Sequence, residues 1–157
     1  MINFNVPGEG EFQIKNVVFD FNGTIAKDGL VLEDFKVKVE ELSKKDVNIF
    51  VVTADTYGSV REQCKDLPLQ IKVFDKDNAA VDKRRIVEML SSKNTVTIGN
   101  GNNDALMFKE SVLSICIIGH EGCSTKALLN SDIVVNNIID AIDLLLNVNR
   151  LKATLRG

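Results

Sequence analysis

Residues 17–24 read Val17-Val18-Phe19-Asp20-Phe21-Asn22-Gly23-Thr24. The run begins with β-branched and aromatic residues, which favour a buried β-strand, and at Asp20 it passes into residues typical of a turn. An acidic side chain therefore follows directly on a predicted core strand. The same pattern, a short apolar strand that ends in a polar turn, recurs along the chain.

Strand and helix patterns alternate from residue 15 onward. Apolar residues at helical spacing follow the first strand over residues 32–42, and further strands, most of them followed by a helical segment, are predicted at residues 47–52, 71–74, 95–98, 113–118 and 133–135. Short strands buried on both faces and separated by helices are typical of a parallel sheet covered on both sides. We expect an α/β fold, a doubly wound and mostly parallel sheet with helices on both faces.

The ends of the chain and one turn give further expectations. Residues 1–14, with Pro7-Gly8 in the middle, predict an edge strand or a hairpin. Residues 148–157 predict a C-terminal tail that packs Leu151 and Leu155, and Thr53-Ala54-Asp55-Thr56 predicts the cap of a helix that continues to about residue 66. A length of 157 residues is typical of one domain, so we expect a single domain over residues 1–157.

Composition excludes several classes of protein. Apolar residues make up 45% and charged residues 26%, which is ordinary globular usage, and a net charge of −3 disfavours a nucleic-acid binder. No apolar run reaches the roughly 18 residues of a membrane span, and the N-terminal residues lack the pattern of a secretory signal. Three cysteines without a CxxC pair are typical of reduced thiols, so we expect a cytoplasmic protein, and the single histidine, His120, excludes a multi-histidine metal site.

Polar residues converge at the predicted strand ends, where doubly wound sheets bind their ligands. Asp20 ends the first strand, Thr53 ends the second, Lys83 opens a helix, and a Gly/Asn/Asp loop follows a later strand at residues 99–104. A carboxylate, a hydroxyl, an ammonium and such a loop together suit a phosphoryl group with Mg²⁺. Singly, each is more often a cap or a turn residue. The GxGxxG and P-loop patterns are absent.

These motifs resemble those of the haloacid dehalogenase (HAD) superfamily. Residues 17–24 are similar to its first motif, Thr53 to its second, Lys83 to its third, and Gly99-Asn100-Gly101-Asn102-Asn103-Asp104 to its acidic fourth motif. The likeness extends from residue 16 to about residue 135. It is strongest to the phosphorylation domain of P-type ATPases, and hence to soluble P-type-ATPase-like HAD phosphatases, since Thr53-Ala54-Asp55 is similar to the TGD of that domain.

The resemblance implies a function and a set of site residues. It implies a Mg²⁺-dependent phosphohydrolase in which Asp20 becomes an aspartyl-phosphate, with Thr53 and Lys83 as the other catalytic residues. The phosphate-binding residues that it implies are Gly23, Thr24, Thr53, Ala54, Lys83 and Asn103. The metal ligands that it implies are Asp20, Asn22, Asn100 and Asp104.

Two positions depart from the family pattern. HAD phosphatases usually carry an aspartate, a general acid and base, where this chain has Asn22, and the missing proton transfer is worth about 10²–10⁴-fold in rate. Asn100 replaces a metal-binding aspartate, and its amide oxygen brings no charge to the metal. A second hypothesis therefore stays open, a catalytically weak or silent domain that binds phosphate, metal or a protein partner.

Motif spacing bears on the substrate. Only 26 residues lie between Ala26 and Thr53 and 29 between Thr53 and Lys83, which leaves no room for the cap domain found in many relatives. We therefore expect an open site without a cap. Its substrate would be a phosphorylated small molecule or a phosphoprotein, with no nucleic-acid or membrane partner, and a homo-oligomer whose neighbouring subunit supplies a lid stays open.

Overall fold

The computed structural model describes residues 1–55 and 58–157. Six strands of this part of the chain form one parallel sheet in the order β10-β9-β8-β3-β6-β7. They are β3 (Asn16–Asp20), β6 (Asn48–Thr53), β7 (Gln70–Val73), β8 (Thr95–Gly99), β9 (Leu113–Ile117) and β10 (Ile133–Val135). The chain runs outward from β3 through β6 to β7, returns to β8 on the other side of β3, and continues to β10. The predicted doubly wound α/β fold is confirmed.

Helices cover both faces of this sheet. Their bounds are α1 (Glu33–Ser43), α2 (Ser59–Cys64), α3 (Ala79–Leu90), α4 (Ala105–Glu110), α5 (Thr125–Leu129), α6 (Ile138–Leu146) and α7 (Val148–Leu155). Side chains of β3 alternate between the two faces. Val17 and Phe19 pack with α1 and α6, whereas Val18 packs with α3 and α4. The central strands β3, β6, β8 and β9 are therefore buried on both sides, as their continuous apolar sequences require, whereas the edge strand β7 is mostly exposed.

The N-terminal residues form a separate hairpin. Strands β1 (Ile2–Val6) and β2 (Gly10–Ile14) pair antiparallel across the Pro7-Gly8 turn, and their Phe4 and Phe12 rings stack with centroids 5.0 Å apart. This hairpin is a two-stranded sheet of its own, so the alternative of an edge strand on the main sheet is wrong. Its buried side chains join the core on the α1 and α6 face.

Three local features differ from the sequence predictions. Residues 148–155 of the predicted C-terminal tail form helix α7, and Leu151, which the tail is predicted to pack, is fully buried. A short hairpin of β4 (Ala26–Lys27) and β5 (Leu30–Val31) lies in the predicted loop after β3. The predicted cap residue Thr56 lies outside the described residues, and in its neighbourhood Asp55 Oδ2 accepts a hydrogen bond from the Val60 amide of α2 at 2.8 Å.

All three cysteines are free thiols, and they differ in burial. Cys64 and Cys116 are buried free thiols and Cys123 is a half-buried one, and burial followed by the proximity of Cys123 raises the pKa of Cys116 to about 12. His120 is exposed in the loop after β9. Among the described residues, none of the helices has the length and apolar character to cross a bilayer.

Candidate active site

Three strand ends deliver the polar side chains to one edge of the sheet. Asp20 is the last residue of β3, Thr53 is the last residue of β6, and the loop that begins at Asn100 follows β8. Since β3 lies between β6 and β8, these three segments are neighbours at the carboxyl edge, at the point where the strand order reverses. Asp20 and Thr53 are both buried.

Lys83 of α3 reaches this edge from the face of the sheet that α3 and α4 cover. Its ammonium donates to Asp20 Oδ1 at 2.6 Å, to Asp104 Oδ1 at 2.7 Å and to Asn103 Oδ1 at 3.0 Å. The Phe74 ring lies against it, with Nζ 4.9 Å from the ring centroid, and the side chain is 1% exposed. All three N–H groups of the ammonium are therefore used, which fixes the position of the Asp20 carboxylate.

Charges in this cluster shift the pKa values of its members. Burial and the charge of Asp104 raise the pKa of Asp20 from 3.8 to about 7, against the opposing effects of Lys83 and the Phe21 amide. Burial alone would lower the pKa of Lys83, but the charges and hydrogen bonds of Asp20 and Asp104 outweigh it and raise that pKa above its usual value. The cluster thus holds two carboxylates against one permanent cation, and a second cation near Asp20 would favour its ionised form.

Asp104 anchors the loop after β8. Its Oδ2 accepts the Asn100 and Gly101 amides at 2.9 Å each, while its Oδ1 accepts Lys83. A Cβ on Gly99 would lie 2.4 Å from Asp104 Oδ2, so only glycine allows this carboxylate to approach the end of β8. Asp104 is fully buried with protein partners on both oxygens. Its geometry is that of an anchor, and its role as a metal ligand stays a prediction.

Gly23 allows a second close approach, on the other side of Asp20. Its φ of +75° lies in the left-handed region that favours glycine, and a Cβ there would lie 2.4 Å from Asn100 Nδ2 and 2.6 Å from Glu121 Oε2. The Asn100 amide donates to the Gly122 carbonyl at 3.2 Å, and its oxygen accepts the Thr24 hydroxyl at 3.4 Å. The turn after β3, the loop after β8 and the loop after β9 therefore meet at Gly23.

An open cavity of about 320 Å³ lies over these groups. Of the predicted site residues, it is lined by Asp20, Asn22, Thr53, Ala54, Asn100 and Asn103. The other four do not line it: Lys83 and Asp104 hold Asp20 and the loop from behind, and Gly23 and Thr24 shape the turn. All ten predicted site residues therefore belong to one region. Six of them line the cavity, and four support it from beneath or from the side.

Thr53 presents a hydroxyl to this cavity. Its Oγ1 accepts the Asp55 amide at 3.1 Å, and the hydroxyl proton has no acceptor among the described residues. A group in this state can donate one hydrogen bond to a ligand oxygen. This is the chemistry that phosphate recognition requires of Thr53.

Four further residues line the cavity that the motifs did not indicate. They are Phe74, Lys76 and Ala79, which follow β7, and Glu121, which follows β9. The strand-end rule that located Asp20 and Thr53 applies equally to the ends of β7 and β9, so it was the signal that could have found them.

The oxygen donors fit a hard divalent cation such as Mg²⁺. The cavity is lined by Asp20, Asn22 and Asn100, which carry carboxylate, amide and main-chain oxygens, the ligand types that Mg²⁺ prefers. Gly23 leaves open the space that a side chain would fill between these groups. In the described part of the chain, no cluster of three or more His, Cys, Asp or Glu side chains forms a ready-made metal cage.

Comparison with known proteins gives two relatives in Methanocaldococcus jannaschii, and no protein-family model matches the chain. The uncharacterized protein MJ0073 is 54% identical over 80 residues, which cover 48% of this chain and 86% of that protein. A soluble P-type ATPase-like phosphatase is 24% identical over 123 residues, which cover 77% of this chain. The match spans less than half, 45%, of the length of that phosphatase.

Solved structures of phosphatases share the fold. The 3-deoxy-D-manno-octulosonate 8-phosphate phosphatase of Moraxella catarrhalis, in complex with magnesium, phosphate and KDO, has a TM-score of 0.70 at 16% identity and covers 91% of this chain and 94% of its own. The cobalt-bound enzyme of Haemophilus influenzae has a TM-score of 0.73 at 13% identity, with 92% and 94% covered. A phosphoserine phosphatase, as a phospho-aspartyl intermediate analogue, has a TM-score of 0.68 at 14% identity, with 85% and 99% covered. All three are HAD-superfamily phosphatases.

Proposed function

Because the chain belongs to the family of the uncharacterized protein MJ0073 and has the fold of the HAD phosphatases, we propose that it is a Mg²⁺-dependent phosphohydrolase acting through Asp20. The observation that carries the proposal is the Asp20 carboxylate at the floor of the cavity. Lys83 donates a hydrogen bond to one of its oxygens at 2.6 Å. The cavity in front of Asp20 is lined by residues with hydroxyl and amide groups, which can donate hydrogen bonds to a phosphate.

Phosphate binding in this proposal uses neutral donors and one cation. The Thr53 hydroxyl and the Ala54 amide lie at the end of β6, and the Asn103 side chain lies across the cavity. Lys83 neutralises charge from behind Asp20, and Gly23 and Thr24 form the turn that closes the other side. Exposed Lys76 at the cavity mouth would attract anionic substrates.

Mg²⁺ would bind on the cavity side of Asp20, with the Asn22 main-chain oxygen and the Asn100 amide oxygen as further ligands. When bound, it would neutralise the charge of the phosphoryl oxygens. The same charge favours the ionised form of Asp20, whose pKa of about 7 would otherwise leave much of it protonated at neutral pH.

The reaction then has two displacements at phosphorus. An Asp20 oxygen forms a bond to phosphorus while the bond to the leaving-group oxygen breaks, and the leaving oxygen takes a proton from water. A second water then attacks the aspartyl-phosphate and loses a proton to the solvent, the bond to Asp20 breaks, and inorganic phosphate leaves. Because the Asn22 amide cannot supply or take up these protons, substrates with weakly basic leaving groups, such as aryl and acyl phosphates, should react fastest.

Hydrolysis of an aryl phosphate with and without Mg²⁺ tests this function. We expect Mg²⁺-dependent release of phosphate by the wild type and its loss in Asp20→Asn. The matched control is Asp34→Asn, the same change at an exposed position at the start of α1. Equal turnover by the wild type and Asp20→Asn would refute the proposal.

The second candidate function is a phosphate- or metal-binding domain with little turnover. The observation that favours it is the presence of two amides, Asn22 and Asn100, at positions where HAD phosphatases use carboxylates. Beryllofluoride with Mg²⁺ separates the two, since a raised melting temperature without turnover would indicate a binding domain. The substrate class that we propose is a phosphorylated small molecule or phosphoprotein, and the reduced thiols favour a cytoplasmic location.

A further inference from the structure

We propose that Glu121 is a ligand of the metal site and supplies the carboxylate that Asn100 lacks. This inference rests on the proposed function and adds to it a residue outside the four motifs. Glu121 lies in the loop between β9 and α5, on the cavity that Asp20, Asn22 and Asn100 line.

The loop that carries Glu121 is fixed on both sides. Before it, the Ile118 and Gly119 amides donate to the Val135 and Asn136 carbonyls at 3.0 Å each. After it, the Ser124 amide donates to the Asn100 carbonyl at 2.8 Å. The backbone near Glu121 is thus held against the loop after β8, although the Glu121 side chain is exposed.

Contacts of Gly23 place the Glu121 carboxylate beside Asn100. A Cβ on Gly23 would lie 2.6 Å from Glu121 Oε2 and 2.4 Å from Asn100 Nδ2, so both groups border the same small space. Glu121 makes no hydrogen bond or ion pair with any of residues 1–55 and 58–157. Its carboxylate oxygens are therefore unpaired among the described residues, beside Asn100 and on the cavity that Asp20 lines.

Asn100 is suited to position this loop, and an aspartate would not be. The Asn100 amide N–H donates to the Gly122 carbonyl at 3.2 Å, next to Glu121. An aspartate there would set an oxygen beside the Glu121 carboxylate, and this contact between like charges would be repulsive as long as Glu121 is present. The amide at position 100 and the acid at position 121 therefore belong together in this proposal. The carboxylate that HAD phosphatases carry on the loop after β8 would lie here on the neighbouring loop after β9.

Formal charges support the same assignment. Asp20 and Asp104 carry −2 and Lys83 carries +1, which leaves the buried cluster at −1. Glu121 brings the metal side to −2, the charge that balances one divalent cation. Lys76 lines the cavity and is exposed, so its charge remains available to the substrate.

Titration with Mg²⁺ by calorimetry, repeated with Mn²⁺ by electron paramagnetic resonance, tests the proposal without any turnover. We expect Glu121→Gln to lower the affinity for both metals by about 10-fold or more, the size of effect seen when groups around a metal are removed. The matched control is Glu40→Gln, the same change on the exposed surface of α1, which should bind as the wild type does. Because Glu121 is exposed and unpaired among the described residues, its variant should keep the wild-type melting temperature in the absence of metal.

A double variant tests the exchange itself. Adding Asn100→Asp to Glu121→Gln returns a carboxylate to the loop after β8 and should recover at least threefold in affinity. Binding by Glu121→Gln within twofold of the wild type, or no gain in the double variant, would overturn the proposal.

These failures differ from a failure of the proposed function. If the wild type binds Mg²⁺ and Asp20→Asn weakens it while Glu121→Gln does not, the assignment of Glu121 is wrong and the phosphohydrolase proposal stands. If the wild type binds neither metal, both are wrong.

Discussion

Replacing Asp20 by asparagine should stabilise the metal-free protein, and the gain should grow with pH. Asp20 shares Lys83 with Asp104, and burial followed by the Asp104 charge raises its pKa from 3.8 to about 7. The folded protein therefore holds a proton that the unfolded chain has already released, so the free energy of unfolding falls as the pH rises from about 4 to about 7. Asparagine removes this titration and leaves Lys83 paired with Asp104.

The magnitude follows from the pH interval. A proton that the folded protein retains over the two pH units from 5 to 7 lowers the free energy of unfolding by about 3 kcal/mol across that interval. For a chain of this size, each kcal/mol changes the melting temperature by about 2–4 °C. The difference in melting temperature between Asp20→Asn and the wild type should therefore be about 6–12 °C larger at pH 8 than at pH 5.

Thermal unfolding at pH 5 and pH 8, in EDTA and then in excess Mg²⁺, measures the effect. Mg²⁺ should stabilise the wild type more than Asp20→Asn at pH 8, because a cation beside Asp20 offsets the cost of its charge. Asp34→Asn, an exposed change on α1, should show no such pH dependence. A stability difference that is constant with pH, or one that shrinks toward pH 8, would refute the argument.

Three further changes have defined outcomes. Asn22→Asp should raise kcat for alkyl phosphates by about 10²-fold and for aryl phosphates by less, since it restores a proton donor; equal effects on both substrate classes in steady-state assays would argue against that role. Lys83→Met should lower the free energy of unfolding at pH 8 by about 3–5 kcal/mol in urea titrations, because it leaves the fully buried Asp104 without its cation, whereas exposed Lys65→Met should have little effect. Lys76→Ala should raise KM for an anionic substrate by roughly threefold at low salt, and an effect that persists at high salt would exclude electrostatic attraction as its cause.

Much of the fold was predictable because it depends on the period and length of apolar runs. Val17, Val18 and Phe19 must be buried on both faces, and such a strand has few positions other than the middle of a parallel sheet. The hairpin of β4 and β5 was missed although Asp28-Gly29 at its turn, with φ values of 51° and 79°, is a recognised hairpin signal. Two-residue strands carry too little hydrophobic pattern to be seen in the sequence.

The candidate site was predictable only as far as its positions. Asp20, Thr53 and Lys83 could be placed at one edge because they follow strands or lead toward one. Which of the site residues line the cavity and which lie beneath it could not be predicted. The sequence does not indicate, for example, that both oxygens of Asp104 are occupied by Lys83 and the loop amides. Glu121 was missed because its loop carries no recognised motif, and its relation to Asn100 depends on a contact across Gly23.

The resting contacts of Lys83 impose an order on ligand binding. A phosphate oxygen can reach the ammonium only by replacing one of its three acceptors, and these differ in strength. Asp104 anchors the loop and Asp20 is a charged acceptor at 2.6 Å, whereas Asn103 is neutral, exposed and at 3.0 Å, so we expect a phosphate to replace Asn103.

That exchange brings a phosphate dianion to a cluster whose formal charge is already −1. Repulsion by ionised Asp20 would then oppose phosphate binding unless Asp20 is protonated or a divalent cation is present first, because neighbouring like charges in a buried site interact by several kcal/mol. In the proposed mechanism, two carboxylates around one lysine would therefore favour binding of the metal before phosphate, and the carboxylate of Glu121 would strengthen that order by favouring the cation over the bare anion.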